Sequence, residues 1–251
     1  YLALLSSLRK GLWNRIGLAT EGSVPFAAHR GPMNEPIGNA RSVATLSLPI
    51  ADMRGVGKRF GATLNDVAMA VIDAGVHRYL AERDPPFGHR LVAMCPVSLR
   101  DADDASGGTR VSAVFVRMGE PDAEIVERLA QVKASMNAAK DDVRAMSRQT
   151  ALGYAVGMMG LAGLAAVTHA DRVTRPSANL VISNVPGPRG KRYYAGAELI
   201  GYYPVSILTH GQGLNVTLVS RGETIDFGLT GAQSLIRDLD RLGDALEAAL
   251  A

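Results

Sequence analysis

The strongest constraint on the fold is an apolar run, LVISNV, that ends abruptly in PGPRG (residues 180–190). Each proline removes a backbone donor from a hydrogen-bond ladder, and Gly187 between them supplies the backbone freedom that a sharp corner needs. The sequence therefore predicts a strand that breaks at Asn184 and turns rigidly through Pro186 and Gly187. By itself, such a corner is typical either of the end of a sheet strand or of one wall of a site.

Other segments of the chain also have strand character. Residues 41–50, RSVATLSLPI, mix β-branched and apolar side chains, and residues 89–100, HRLVAMCPVSLR, have the unbroken apolar run of a strand buried on both faces. Pro96 in the second run predicts a sheet edge or a bulge, because proline cannot donate to a ladder. Four more strands are predicted, over residues 111–118, 197–208, 213–222 and 224–231.

Helical periodicity marks the remaining segments. Residues 64–84 carry an apolar stripe, with Thr63 as the N-cap and Asp66 in the first turn, where a carboxylate suits the helix dipole. A short helix precedes it, and Gly61 closes that helix as a residue after the C-cap does.

Two later segments are predicted to be amphipathic helices. Residues 122–146 predict an exposed helix in which Glu124 and Arg128 form an i,i+4 ion pair. Residues 234–250 predict a final helix with one apolar face, formed by Leu235, Leu239, Leu242 and Leu246. Strands mixed with long helices predict an α/β (α+β layered) architecture, a mixed β-sheet flanked by helices.

Residues 150–168 contain no charged side chain, and this length reaches that of a transmembrane candidate. The segment is rich in Gly and Ala, so its transfer into a bilayer is only modestly favourable. Three interpretations stay open: a buried helix, a helix lying on a membrane or lipid surface, and a membrane span.

Composition excludes several function classes. The net charge of +3 arises from 27 Lys and Arg interleaved with 24 Asp and Glu, so there is no basic stripe for nucleic acid. The single cysteine, Cys95, lies in an apolar run, which predicts a buried thiol and a reduced, cytosolic protein. The chain opens without Met in a helical pattern, which we interpret as the middle of a longer polypeptide.

Motifs for catalysis are few. There is no G-x-S-x-G elbow, no P-loop and no i,i+4 pair among the five histidines, which disfavours serine hydrolase, nucleotide-binding and metal sites. His210 and Gly211 lie at a predicted strand end, where the backbone can approach a ligand, although a turn histidine has the same pattern. Asn65 and Asp66 either begin a helix or line a pocket at its N-terminus, where free N–H groups suit an anion or a carbonyl.

Five segments, in order and spacing, resemble the C-terminal half of the bacterial wax ester synthase/diacylglycerol acyltransferase family: ATLNDVAMAVIDAGVHRYL, PVSLR, VSAVFV, SNVPGP and GLNVTLVSRGETIDFGL. The resemblance extends from about Asn34 to the C-terminus. It implies a chloramphenicol-acetyltransferase-like half of a two-domain enzyme. The catalytic HHxxxDG motif of the family lies in its N-terminal domain, and this sequence has no adjacent histidine pair.

The resemblance therefore implies that the catalytic residue lies outside this chain. Residues 1–39 are expected to be a linker helix and an extended connection from a missing N-terminal catalytic domain, and residues 40–251 the C-terminal acyltransferase domain. The implied substrates are acyl-CoA with diacylglycerol or a fatty alcohol, without a cofactor or metal. The implied partners are the N-terminal domain and, peripherally, a membrane or lipid-droplet surface of the cytoplasm.

The resemblance also implies a set of substrate-binding residues. Asn65 and Asp66 match the ND pair of the family. Ser98 and Arg100 match the end of its PVSLR strand, and Arg100 is expected to hold Asp66 or a phosphate. The full set is Asn65, Asp66, Ser98, Arg100, Asn184, Pro186, Gly187, Ser206, His210 and Gly211. Thr109 and Arg221 differ from the residues that are common at these positions in the family. The resemblance therefore predicts the fold better than it predicts the substrate preference. The alternative from another class is a catalytically silent scaffold that binds acyl chains.

Overall fold

The computed structural model describes residues 28–83, 85–98, 111–144, 160, 175–188 and 190–250. A mixed six-stranded sheet in the order β1-β8-β7-β4-β2-β3 forms the centre, beside a separate hairpin of β5 and β6. The strands are β1 Arg41–Pro49, β2 Val92–Ser98, β3 Val111–Arg117, β4 Leu180–Val185, β5 Tyr193–Tyr194, β6 Ala197–Glu198, β7 Leu214–Arg221 and β8 Thr224–Ala232. The described helices are α1 Ile50–Phe60, α2 Leu64–Ala81, α3 Ile125–Arg144 and α4 Leu239–Leu250.

The sheet combines parallel and antiparallel pairs of strands. β4 is parallel to β7 and to β2, whereas β7–β8, β1–β8 and β2–β3 are antiparallel. The carboxyl ends of β2, β4 and β7 therefore lie at one end of the sheet, and this arrangement determines which residues can form a common site. The mixed sheet flanked by helices confirms the predicted fold class.

The hydrophobic core lies between the helices and one face of the sheet. Alternate residues of β7 and β8 point into it, because side chains along a strand alternate between faces. These residues are Leu214, Val216, Leu218, Ile225, Phe227 and Leu229. Val67, Val71 and Leu242 are among the helix residues that meet them.

Local signals in the sequence place the first elements correctly. α1 ends at Gly61, which has a φ of 60°, a conformation that costs glycine little. Thr63 caps α2: its side chain accepts from the Asp66 N–H, and the Asp66 side chain accepts from the Thr63 N–H. Pro96 pairs in unbroken register with Ala113 of β3, so no bulge occurs there, and the β2–β4 ladder ends at Met94, so the β4 side of β2 is a local edge at Pro96.

The predicted strand over residues 197–208 is wrong. Only Ala197–Glu198 pairs, with Tyr193–Tyr194, and residues 199–208 cross the face of the sheet opposite the helices without joining a ladder. The final helix is also shorter than predicted, because it begins at Leu239 and Leu235 precedes it.

The predicted Glu124–Arg128 ion pair is wrong as well. Arg128 is only 4% exposed, and its Nη1 lies 2.5 Å from Oδ2 of Asp73, which is fully buried in α2. Its Nη2 donates to the carbonyl oxygens of Pro121 at 3.0 Å and Ala123 at 3.1 Å. The guanidinium therefore turns inward, where it compensates a buried carboxylate and two backbone acceptors.

His77 completes this buried cluster. Its Nδ1 lies 3.0 Å from the Asp73 carbonyl oxygen and 3.0 Å from Asp73 Oδ1. Burial alone would lower the pKa of His77, but the hydrogen bond and the charge of Asp73 outweigh that cost and hold it above its usual value.

Residues 150–168, apart from Gly160, lie outside the described residues, so the three interpretations of that segment are not distinguished. Within the described part of the chain, no helix combines the length and the hydropathy that crossing a bilayer requires.

Candidate functional site

Two of the predicted site residues meet at the carboxyl end of β4. Asn184 Nδ2 donates to Asn65 Oδ1 at 3.1 Å, although 119 positions separate the two residues. Asn65 is held from its other side by a weak contact of its Nδ2 with Met69 Sδ at 3.6 Å, one turn along α2. The N-terminus of α2 and the end of β4 thus form one surface, from which Asn184 is exposed.

Asp66 lies beside Asn65 but is turned toward the helix cap. Its Oδ2 accepts from the Thr63 N–H at 2.9 Å and from Thr63 Oγ1 at 2.7 Å, and the residue is 2% exposed. Its buried Oδ1 has no hydrogen-bond partner among the residues that the structure describes. A buried carboxylate oxygen without a donor is costly.

The Pro186–Gly187 corner lies against the end of β7. A Cβ at Gly187 would overlap the carbonyl oxygen of Ser220, so only glycine permits this approach. Asn184 pairs in register with Leu218 of β7, which places the corner at the same end of the sheet as Asn65. The corner therefore fixes the position of Asn184 relative to two neighbouring elements.

Ser206 lies over the face of the sheet away from the helices, whereas Asn184 contacts α2 on the helix side. Its Oγ is 2.8 Å from Thr217 Oγ1, which in turn donates to Asn215 Oδ1 at 2.8 Å. The Ser206 N–H donates to Thr230 Oγ1 at 3.2 Å. Sequence reasoning missed Asn215, Thr217 and Thr230; the alternation of polar and apolar residues in GLNVTLV was the signal that could have found the first two.

His210 and Gly211 lie at the opposite end of β7. Both residues precede Leu214, the first residue of that strand, whereas Asn184 pairs with Leu218 near its end. Leu218 is four residues beyond Leu214, about 13 Å at about 3.3 Å per residue, and His210 lies before Leu214. His210 Nδ1 accepts from the Ile37 N–H at 3.3 Å, and Gly211, with a φ of 77°, forms the tight turn. The structure does not bring these two residues to the Asn65–Asn184 surface.

Ser98 is the last residue of β2, which runs parallel to β4, so its backbone ends on the same side of the sheet as Asn184. The side chain of Ser98 and the whole of Arg100 lie outside the described residues. The predicted link between Arg100 and Asp66 therefore stays a prediction.

Arg221, which departs from the family pattern, has a structural partner. Its Nε lies 2.8 Å from Oδ2 of Asp226, which is fully buried and also accepts from the Tyr202 N–H at 2.8 Å and from Ser47 Oγ at 2.8 Å. Burial would raise the pKa of Asp226, but Arg221 and these hydrogen bonds outweigh it and lower the pKa below its usual value. The charged carboxylate thus anchors the chain at Tyr202 to β8.

The chemistry available at this surface is binding and orientation. The amide groups of Asn65 and Asn184 can hydrogen-bond to carbonyl, hydroxyl or phosphate groups, whereas Ser206 lies over the opposite face of the sheet. Among the described residues, the elements that form it carry no imidazole at this end of the sheet, and no group of three potential metal ligands occurs.

Comparison with known proteins agrees with this architecture. The computed structure superposes on the first condensation domain of the CDA synthetase with a TM-score of 0.52 at 15% identity, covering 96% of this chain and 49% of that one. A likeness at this identity defines the fold alone. The mixed sheet flanked by helices thus has the chloramphenicol-acetyltransferase-like fold.

Similarity at higher identity defines the family. Residues 107–251 match the WS/DGAT C-terminal domain, and residues 2–68 match the wax ester synthase/diacylglycerol acyltransferase catalytic domain. The wax ester synthase/diacylglycerol acyltransferase from Marinobacter aquaeolei VT8 superposes with a TM-score of 0.77 at 31% identity, over 89% of this chain and 51% of that one. A Mycobacterium tuberculosis protein named "Probable diacyglycerol O-acyltransferase Tgs4" is 37% identical over 236 residues, 92% of this chain and 49% of the relative.

The chain belongs to the wax ester synthase/diacylglycerol acyltransferase family, which confirms the resemblance found in the sequence. It spans about half the length of the curated relatives it matches.

Proposed function

We propose that this chain is the second lobe of an acyl-CoA-dependent O-acyltransferase that esterifies diacylglycerol, a long-chain fatty alcohol, or both. The lobe supplies one wall of the reaction channel. A preceding half supplies the general base, the second histidine of an HHxxxDG motif. That base removes the hydroxyl proton of the acceptor as the oxygen attacks the thioester carbonyl, and CoA leaves as a thiol. The products are triacylglycerol or wax ester.

The observation that carries this proposal is the meeting of Asn65 and Asn184 beside the Pro186–Gly187 corner. Two polar side chains from distant parts of the chain are fixed against each other at the end of β4. Such groups orient a substrate but do not take its proton, so the arrangement suits one side of a site whose base lies opposite. The relatives support this division, because this chain covers only 49% of the Mycobacterium tuberculosis protein.

The substrates of this reaction are insoluble in water, which favours peripheral attachment to a membrane or a lipid droplet. The net charge of +3 adds a weak attraction toward anionic lipid surfaces. Acyl-CoA is a substrate here, and the reaction as proposed needs no metal or cofactor.

The first test is the sequence that precedes residue 1 in the gene. We expect it to encode a half with an HHxxxDG motif; we call that half joined to this chain the two-lobed enzyme. Its turnover is then measured with acyl-CoA and either hexadecanol or diacylglycerol. Replacing the second histidine of the motif is expected to abolish turnover with both acceptors.

The site on this chain is tested in the same enzyme by Asn184→Ala. We expect turnover to fall by at least tenfold, about 1.4 kcal/mol of transition-state stabilisation, because the substituted site loses an orienting group. Asn137→Ala, at an exposed position on α3, is the matched control and should leave turnover unchanged. Absence of the motif upstream, or equal turnover of both variants, would favour the scaffold interpretation instead.

A further inference from the structure

We propose that the helix side of the sheet carries a binding site for a fatty carboxylate, a single saturated chain with one negatively charged head group. The site is a cavity of about 190 Å³ between the second half of α1, the first half of α2, the start of α3 and the end of α4. The inference is independent of the proposed function, because the residues of this cavity are not those of the Asn65–Asn184 surface.

The floor of the cavity is buried and apolar. It is formed by Val67, Ala70 and Val71 of α2 and by Leu129 of α3, each of them no more than 4% exposed. A cavity lined by such side chains stays dry, because it offers water no hydrogen-bond partners, and it favours an apolar ligand. A dry cavity of about 150 Å³ accepts benzene, so by that scale this one has room for about seven or eight carbon atoms.

The rim of the cavity is also apolar, but it is open to solvent. Phe60 is 38% exposed, Ile125 44% and Val126 50%. Single exposed apolar residues are common on proteins, whereas these three border one concave site with a buried floor, which is typical of a ligand pocket. Because the rim is open, a chain longer than the cavity can extend out of it.

Two cations lie beside Phe60, at the α1 end of the rim. The guanidinium carbon of Arg59 lies 5.5 Å from the centre of the Phe60 ring. Lys133 Nζ donates to the carbonyl oxygen of Gly61, the residue after Phe60, at 2.6 Å. A carboxylate at this end of the cavity therefore has two positive charges nearby while its chain occupies the floor.

Carboxylates on the other sides of the cavity restrict the head group to one small anion. Glu124 and Glu127 are exposed at the start of α3, and Glu247 is exposed near the end of α4. These charges repel a polyanion such as the CoA moiety, and they repel an anionic membrane surface for the same reason. A fatty carboxylate carries a single charge, and the pattern accommodates that charge at the Phe60 end.

The cavity and the Asn65–Asn184 surface use different sides of α2. Asn65 and Val67 are two positions apart, which at 3.6 residues per turn is about 200° around the helix axis. Asn65 faces Asn184 at the end of β4, whereas Val67 lines the cavity. The cavity is therefore a second site, separate from the proposed wall of the reaction channel.

Methyl NMR of the full-length protein, as its gene encodes it, tests the site with decanoate as the probe. We expect the methyl resonances of Val67, Val71 and Leu129 to shift when monomeric decanoate is added. The affinity from the same titration should rise about fourfold for each added methylene group from butanoate to octanoate, because each group buries apolar surface. It should level off beyond octanoate, because the cavity is then full.

Two pairs of variants test the rim and the head-group position. Val126→Asp places a carboxylate on the rim and should weaken decanoate binding at least tenfold, whereas Val43→Asp, at a similarly exposed position on β1, should leave it unchanged. Lys133→Gln keeps a donor for the Gly61 oxygen but removes the charge, so it should weaken decanoate about threefold and leave decanol unaffected. Lys140→Gln, two turns further along α3, makes the same change in net charge and should alter neither affinity.

Several results would overturn the proposal. One is the absence of shifts at the three floor residues, and another is equal weakening by the two aspartate variants. Equal weakening of decanoate and decanol by Lys133→Gln would refute the head-group position. Shifts caused by a change in protein concentration alone would assign the cavity to a second copy, shifts with phospholipid vesicles only would assign it to a membrane, and tighter binding of decanoyl-CoA at the same methyl groups would assign it to the acyl-CoA substrate. Turnover is not measured in this experiment, so its outcome is separate from that of the proposed function.

Discussion

Replacing Arg128 by Met removes the guanidinium from the buried cluster while keeping most of the side-chain stem. Asp73 is fully buried and loses its partner at 2.5 Å, and the carbonyl oxygens of Pro121 and Ala123 lose their donors. Breaking a buried pair from one side costs about 3–5 kcal/mol of folding free energy. Asp73 keeps the Gly119 N–H at 2.8 Å and the contact with His77, so we expect the lower end of that range, about 3 kcal/mol.

The loss is the difference in unfolding free energy between the variant and the parent protein. It is measured by urea unfolding followed by circular dichroism, with the two proteins showing the same m-value. Arg241→Met is the matched control, because Arg241 also contacts a carboxylate, Glu82, at 2.6 Å, but the two side chains are 62% and 53% exposed. Exposed pairs contribute about 0–1 kcal/mol, so this variant should lose no more than that. Equal losses in the two variants would refute the inward placement of Arg128, and a large loss in Glu124→Gln would restore the pairing read from the sequence.

Three further predictions concern other parts of the lobe. Gly228→Ala should destabilise the fold by about 1–3 kcal/mol and displace residues 199–208, because the new Cβ overlaps the Pro204 carbonyl oxygen. Unchanged stability would contradict that contact. The raised pKa of His77 means that its charged form stabilises the fold; this contribution is complete below pH about 6.5, the usual pKa, and is lost as the pH rises through the folded-state value. The unfolding free energy should therefore decrease over that interval, and His77→Gln should remove this dependence. Burial raises the pKa of Cys95 to about 12, so a thiol reagent should label the native protein only at the rate of its opening and the urea-unfolded protein at once; rapid labelling of the native protein would contradict the buried position.

The sequence predicted those elements whose determinants are local. Gly61, Thr63 and Asp66 mark helix ends through contacts within a few residues, and Pro96 interrupts a ladder wherever it occurs in a sheet. The family and the fold class followed from motifs in register.

The parts that could not be predicted depend on the order of strands in space. Arg128 pairs with Asp73, 55 positions away, and not with Glu124 in the preceding turn. The reason is that Arg128 lies on the face of α3 that points toward the core. Residues 199–208 have the composition of a strand, but composition does not say whether a neighbouring strand is present to pair with them. His210 is separated from Asn184 because β4 and β7 run parallel, and no local pattern reveals that direction.

The central claim is that this lobe orients substrates for a base located on another half of the enzyme. Turnover of acyl-CoA with hexadecanol and with diacylglycerol is measured for three proteins: the 251-residue chain alone, the two-lobed enzyme, and the two-lobed enzyme without its second motif histidine. Our account predicts turnover in the two-lobed enzyme only. Turnover by the chain alone, lost on His210→Ala, would contradict it by placing the base within this lobe.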